Sequence, residues 1–157
     1  MLLPEDHRAE QDTLRSFVQA EIAPHAAEWD KTHHFPRAQL KGLAQLGCYG
    51  VAVPSEWDGA GLDYLALAVI LEEIAAGDGA TSTVVSVNNC PVCSILMTYG
   101  NADQKVRFLK PLARGDGSLL QAFGTGYQWL RTAAGLRVLL ATAFEEDLQE
   151  MKHHAAA

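Results

Sequence analysis

Apolar side chains return every three or four positions along almost the whole 157-residue chain, and the strict alternation that marks a strand is scarce. The spacing predicts a first helix from about Pro4 to Ala23, with Leu14, Phe17, Val18 and Ile22 as its buried stripe. Pro24 lacks a backbone donor and clashes one turn back, so a break is expected at Glu21 to Ala23. A short helix restarting at Pro24 carries Ala27 to Trp29. Phe35-Pro36 opens the next helix, because proline suits a first helical position. Leu40, Leu43 and Leu46 follow at threes, and Gly47 is a good stop. Residues 48–62 mix glycine and proline with small apolar side chains and read as an ordered loop. Asp63 caps a helix over about 63–76, with Leu67, Ile70, Leu71 and Ile74 inward.

Gly77-Asp78-Gly79 breaks that helix. Thr81 to Tyr99 is ambiguous, since Thr83, Val84, Val85 and Val87 favour a strand by propensity. Its length and its helical neighbours favour a buried helix, distorted near Pro91 and ended by Gly100. Asn101 caps a last helix over 102–113, with Phe108, Leu109 and Leu112 inward and Pro111 in its final turn. From Gly115 the character changes. Gly115-Asp116-Gly117-Ser118 reads as a flexible stretch. Trp129, Leu130, Ala133, Leu136, Leu140, Phe144 and Leu148 then predict one amphipathic helix over about Tyr127 to Met151. The expected fold class is therefore all-α: one domain of five or six helices over 1–116, and an extra C-terminal helix in a tail over 117–157.

Composition agrees with a folded domain, because 48% of the residues are hydrophobic. A net charge of −7 and scattered Lys105, Arg107 and Lys110 argue against a nucleic-acid surface, which needs clustered cations. No run of 18 apolar residues predicts a transmembrane helix. Met1-Leu2-Leu3-Pro4-Glu5-Asp6 has neither the basic head of a signal peptide nor the Arg and Ser of a transit peptide, so a cytoplasmic protein is expected. Three cysteines, Cys48, Cys90 and Cys93, are too few for a disulfide scaffold.

Five segments in order resemble the N-terminal helical domain of the acyl-CoA dehydrogenase family. They are Glu21-Ile22-Ala23-Pro24 with Ala26-Ala27-Glu28-Trp29-Asp30; Phe35-Pro36 with Leu46-Gly47 and Gly50-Val51-Ala52-Val53-Pro54; Trp57-Asp58-Gly59-Ala60-Gly61-Leu62-Asp63; Glu72-Glu73-Ile74-Ala75; and Gly100-Asn101 with Gln104-Lys105 and Phe108-Leu109-Lys110-Pro111-Leu112. The match covers roughly residues 7 to 116. The resemblance implies noncovalent FAD, oxidation of an acyl-CoA thioester to the 2,3-enoyl-CoA, and reoxidation by an electron-transferring flavoprotein. It also implies a middle β-domain, a C-terminal helical bundle and a homo-oligomer, usually a tetramer. In that architecture the N-terminal domain supplies one wall of the acyl pocket. Counting back from Gly100 puts Thr83, Val84, Val87 and Asn88 at the family's pocket positions. Val84 and Val87 share a helix face, and ordinary core valines are the competing reading.

The resemblance stops after Leu112-Ala113-Arg114-Gly115-Asp116. Ala122-Phe123 occurs, but Gly124-Thr125-Gly126-Tyr127 stands where a Thr-Glu-Pro segment and then Gly-Ser-Asp would grip flavin and substrate. Neither a catalytic residue nor a cofactor-binding residue is assigned, and FAD is not expected to be held stably by this chain alone. The expected function is the pocket wall of an acyl-CoA dehydrogenase, inactive alone. The alternative is a non-catalytic helical module for interaction or self-association.

Other constellations read as structural. Cys90-Pro91-Val92-Cys93 has redox or metal spacing, yet it lies inside an apolar segment without two further ligands, so core cysteines are expected. His33-His34 and His153-His154 are adjacent pairs that point about 100° apart on a helix and read as surface histidines. Glu72-Glu73 and Glu145-Glu146-Asp147 are expected on solvated faces rather than in acid–base work. Gly77-x-Gly79 and Gly124-x-Gly126 lack the strand–turn–helix context of a dinucleotide loop. Ser82 and Ser86 have no nucleophile elbow.

Overall fold

A computed structural model describes residues 4–116, which are helical without a strand. The helix expected at Tyr127–Met151 lies outside the described residues, as do Ala122-Phe123 and Glu145-Glu146-Asp147. The described elements are α1 (Glu5–Glu21), α2 (Ala26–Thr32), α3 (Arg37–Gln45), α4 (Tyr64–Gly77), α5 (Gly79–Val87), α6 (Ser94–Tyr99), α7 (Ala102–Gln104) and α8 (Lys110–Arg114). A π-helical stretch Asn88–Cys93 joins α5 to α6, and another, Lys105–Leu109, joins α7 to α8. The described chain is thus six helical rods, with a 3-10 turn at Ser55–Trp57. None of these helices is long and apolar enough to cross a membrane.

The main core forms where α4 packs between α1 and α5. Leu14, Val18 and Ile22 of α1 meet Leu67, Ile70 and Ile74 of α4, with Leu40, Leu43 and Val85 closing the cluster. Proline ends α1 as the spacing predicts: the N–H groups of Ile22 and Ala23 both donate to the Val18 carbonyl before Pro24. α4 starts where Asp63 Oδ1 accepts the Ala66 N–H at 2.8 Å. Asp78 caps α5 in the same way, accepting the Thr81 N–H at 2.8 Å. Helix wins over strand propensity at Val84 to Val87 because the segment buries Val85 against two neighbouring helices. A second, smaller cluster of Val53, Cys93, Leu109, Leu112 and Ala113 lies under the π-helical half.

Pro91 sits inside the first π-helical stretch. It cannot donate to the helical ladder, and the wider turn accommodates the missing bond. The distortion therefore falls where the sequence places it. The loop between α3 and α4 closes on itself, with the Ala60 N–H donating to the Gly50 carbonyl and the Leu62 N–H to the Val51 carbonyl, both at 2.8 Å. A Cβ at Gly59 would lie 2.1 Å from the Val53 carbonyl oxygen, so only glycine fits there. Gly47 ends α3 at φ +78°.

Four expectations are corrected. Leu46 is exposed, because α3 ends at Gln45 and the stripe does not continue. Phe108 is exposed, because the π-helical turn adds a residue and swings it off the face that buries Leu109 and Leu112. Cys90 is exposed beside Pro91, whereas Cys48 and Cys93 are buried. Glu73 is buried rather than solvated. It accepts hydrogen bonds from Arg15 Nη2 at 2.6 Å, Arg15 Nε at 3.0 Å and Gln11 Nε2 at 2.8 Å.

Candidate functional site

The four residues singled out in the sequence do not share one environment. Thr83 is exposed, and its hydroxyl donates to the Gly79 carbonyl at 2.9 Å. Val84 is half-buried, packs against the main core and lines a cleft beside α3. Val87, one turn on, is half-buried. These three form one outer stripe of α5. Asn88 is apart from them: it is fully buried, and its Nδ2 donates to the carbonyls of Tyr49 and, at 3.3 Å, Leu112. It ties the α3–α4 loop and α8 to the start of the π-helical stretch.

Sequence reasoning missed Asn89, which completes the clamp. Its Oδ1 accepts the Val51 N–H at 2.9 Å, and its Nδ2 donates to the carbonyls of Cys48 at 2.8 Å and Val85 at 3.0 Å. The available signal was two consecutive asparagines inside an apolar run. Buried amides must find partners within the fold.

The cleft beside Val84 has a volume of about 740 Å³. Phe35, Leu40, Ala44 and Tyr49 supply apolar lining, Arg37 and Lys41 border it, and Arg114 to Asp116 close one end. On the other side of Val84 a cleft of about 270 Å³ is lined by Trp29, His33, His34 and Asp78. No group of three or more potential metal ligands exists among the described residues.

Cys48, Tyr49, Cys93 and Glu73 are not tuned for acid–base or nucleophilic work at neutral pH. Burial pushes the thiols of Cys48 and Cys93 up to about 12, so both stay protonated at neutral pH. Burial likewise raises the Tyr49 phenol. Glu73 moves the other way, held below the usual carboxylate range chiefly by its hydrogen bond from Arg15, whereas a general base at neutral pH needs a raised value. The α5 stripe can therefore offer a shaped apolar surface, not a proton carrier. It also does not fit a flavin. An isoalloxazine ring needs donors and acceptors for its polar edge, and here the Thr83 hydroxyl and the Asn88 amide nitrogen are already engaged within the fold. The Asn88 Oδ1 has no partner but is sealed from solvent.

Comparison with known proteins agrees with this shape. Residues 4–116 match the model for the acyl-CoA dehydrogenase N-terminal domain. The mitochondrial short-chain specific acyl-CoA dehydrogenase of Rattus norvegicus is 41% identical over 114 residues, which are 73% of this chain and 28% of that protein. Its Homo sapiens counterpart is 42% identical over the same shares. Among solved structures, the glutaryl-coenzyme A dehydrogenase complex with glutaryl-CoA superposes with a TM-score of 0.71 at 28% identity, over 74% of this chain and 30% of that one. The chain thus spans under a third of the length of the relatives it matches.

Proposed function

From the premise that this chain belongs to the acyl-CoA dehydrogenase family, we propose that residues 4–116 serve as the N-terminal domain that walls an acyl pocket. The reaction served is the FAD-dependent α,β-dehydrogenation of an acyl-CoA thioester. The wall is the α5 stripe of Thr83, Val84 and Val87, with Asn88 behind it as the residue that fixes the stripe. Two half-buried valines one turn apart, backed by a buried amide clamp, carry this reading. An acyl chain calls for such an apolar slot with few polar groups. Flavin, proton removal and contact with an electron-transferring flavoprotein belong to parts of the enzyme beyond this domain. Residues 117–157 are a separate unit in this reading.

Two experiments test it. A chimera carrying residues 4–116 in place of the matching stretch of the rat enzyme should oxidise short acyl-CoA substrates. Val87→Phe in that chimera should lower kcat/KM for longer acyl groups about tenfold relative to shorter ones, the scale of one or two methylenes in a pocket. An unchanged chain-length profile would count against the assignment. The full chain purified alone should be colourless and inactive. Stoichiometric absorbance near ~450 nm would contradict the view that this chain cannot hold flavin.

A second reading, a non-catalytic module for interaction or self-association, draws on the exposed Ile95, Tyr99, Val106 and Phe108. A monodisperse monomer by light scattering would remove the self-association form of it.

A further inference from the structure

The cleft beside α3 carries a charge pattern that the pocket-wall reading does not use. Its floor is apolar: Leu40 and Tyr49 are buried, Ala44 and Val84 are half-buried, and Phe35 stands at the lip. The end of α8 shuts one side. Gly115 comes so close that a Cβ there would lie 2.5 Å from the Ala44 Cβ and 3.2 Å from the Tyr49 ring. Three cations, Arg37, Lys41 and Arg114, line the cleft against one carboxylate, Asp116, although the whole chain carries a net charge of −7. Arg114 is neutralised in place, by Asp58 at 2.9 Å and Asp116 at 2.6 Å. Arg37 and Lys41 meet no carboxylate among the described residues. Both are exposed and stand four positions apart on α3, where like charges repel. The Arg37 guanidinium lies over the Phe35 ring, 5.6 Å from its centroid, which holds it at the lip.

We propose that this cleft binds a free carboxylate with an apolar body, an alkanoate of medium length. The alkyl chain would lie on Leu40, Ala44, Tyr49 and Val84, with its carboxylate between Arg37 and Lys41. That placement relieves the repulsion on α3. A guanidinium can take both oxygens of a carboxylate, and the ammonium adds a point charge. The volume of about 740 Å³ falls in the range of small-ligand clefts. A thioester has no carboxylate to offer the two cations, so this ligand is not the substrate of the dehydrogenation. The site is also distinct from the α5 stripe. Val84 is shared, but Thr83 and Val87 do not line the cleft.

Calorimetric titration of the full chain with sodium octanoate, localised by amide shifts in NMR, tests it. Saturable one-to-one binding is expected, with the largest shifts in α3, at Tyr49 and at Arg114 to Asp116. Arg37→Gln with Lys41→Gln, both at exposed positions, should weaken it at least about tenfold. Octan-1-ol offers the apolar body without the charge, and acetate the charge without the body. Each should bind at least about tenfold more weakly than octanoate. No saturation below about 10 mM octanoate overturns the proposal. So does undiminished affinity in the double variant, or shifts centred away from α3. Octan-1-ol binding as tightly as octanoate would leave only a greasy patch, and acetate binding as tightly would leave an adventitious ion only; either sinks the site. The chain-length profile of the chimera reports on the α5 stripe and this titration on α3, so each can fail without the other.

Discussion

The two halves of the described fold are held together by different physics. Around α1 and α4 the core is built of aliphatic side chains at helical spacing, and an ion pair between the buried Glu73 and the half-exposed Arg15 ties the two helices. Around the π-helical stretches the aliphatic cluster is small, and two buried asparagines bridge the α3–α4 loop, α5 and α8 through main-chain groups. Greasy packing tolerates change in proportion to the volume lost. A buried amide clamp fails more abruptly, because each lost bond leaves a backbone group without water or partner. The candidate site straddles the two: Val84 packs against the aliphatic core, whereas Asn88 belongs to the clamp.

The largest effect expected from this contrast is at Asn89. Asn89→Leu keeps roughly the same volume but leaves the Val51 N–H and the Cys48 carbonyl unsatisfied. A loss of about 4 kcal/mol in urea denaturation follows from two orphaned groups at 1–3 kcal/mol each plus strain. A loss under about 1 kcal/mol would mean that the clamp is ornamental and the halves alike. Next comes Ile74→Ala at the fully buried centre of the aliphatic half. Its expected cost is about 3 kcal/mol, within the range for large-to-small core changes. The order of these two variants, measured side by side, is the sharpest check on the comparison.

The same contrast explains what the sequence could and could not convey. α1, its break before Pro24, the Asp63 cap and the distortion near Pro91 were legible because each is written within a few residues. Leu40, Leu43, Ile70 and Ile74 kept their period and were placed correctly. Leu46 and Phe108 were misplaced where the period itself failed, one at a helix end and one in a widened turn. Glu73 looked solvated because its partner, Arg15, lies on another helix, 58 positions away. The clamp was illegible for the same reason: its acceptors are main-chain carbonyls, which carry no residue signature, in a loop about 40 positions upstream. At the candidate site, Val84 and Val87 were readable as a stripe, but Asn88 was grouped with them by position when packing turns it inward.

Glu73 supplies a pH test of the aliphatic half. Its carboxyl is held below the usual value, first by the hydrogen bond from Arg15 and further by that from Gln11. Its folded-state value therefore lies below its unfolded one, near ~4.3. The ionised form then contributes stability that is fully present above the unfolded value and is lost as pH falls through the folded one. The urea midpoint of the native chain should fall as pH is lowered from about 5 toward 3. Glu73→Gln should flatten that slope and cost about 1–3 kcal/mol at pH 7, by removing a charge-assisted pair from a buried position. An unchanged slope in Glu73→Gln would assign the acid sensitivity to other carboxylates.

The smallest expected effect lies at Asp78, the turn that joins α4 to α5. Its N–H donates to the Ile74 carbonyl at 2.9 Å, finishing α4, while its carboxylate accepts from the Thr81 N–H and hydroxyl, starting α5. Asp78→Ala keeps the first bond, which is main-chain, and loses the second. The cost expected is about 1 kcal/mol, the ordinary value of an N-cap. Asp78→Asn, which can still accept both bonds, should cost only a few tenths. Read by hydrogen exchange, the loss in Asp78→Ala should appear first in the opening turn of α5, around Thr81 and Ser82, and leave α4 protected. Were α4 and α5 to lose protection together, the two helices would open as one cooperative unit, and the clamp that begins at Asn88 would mark where the aliphatic half ends.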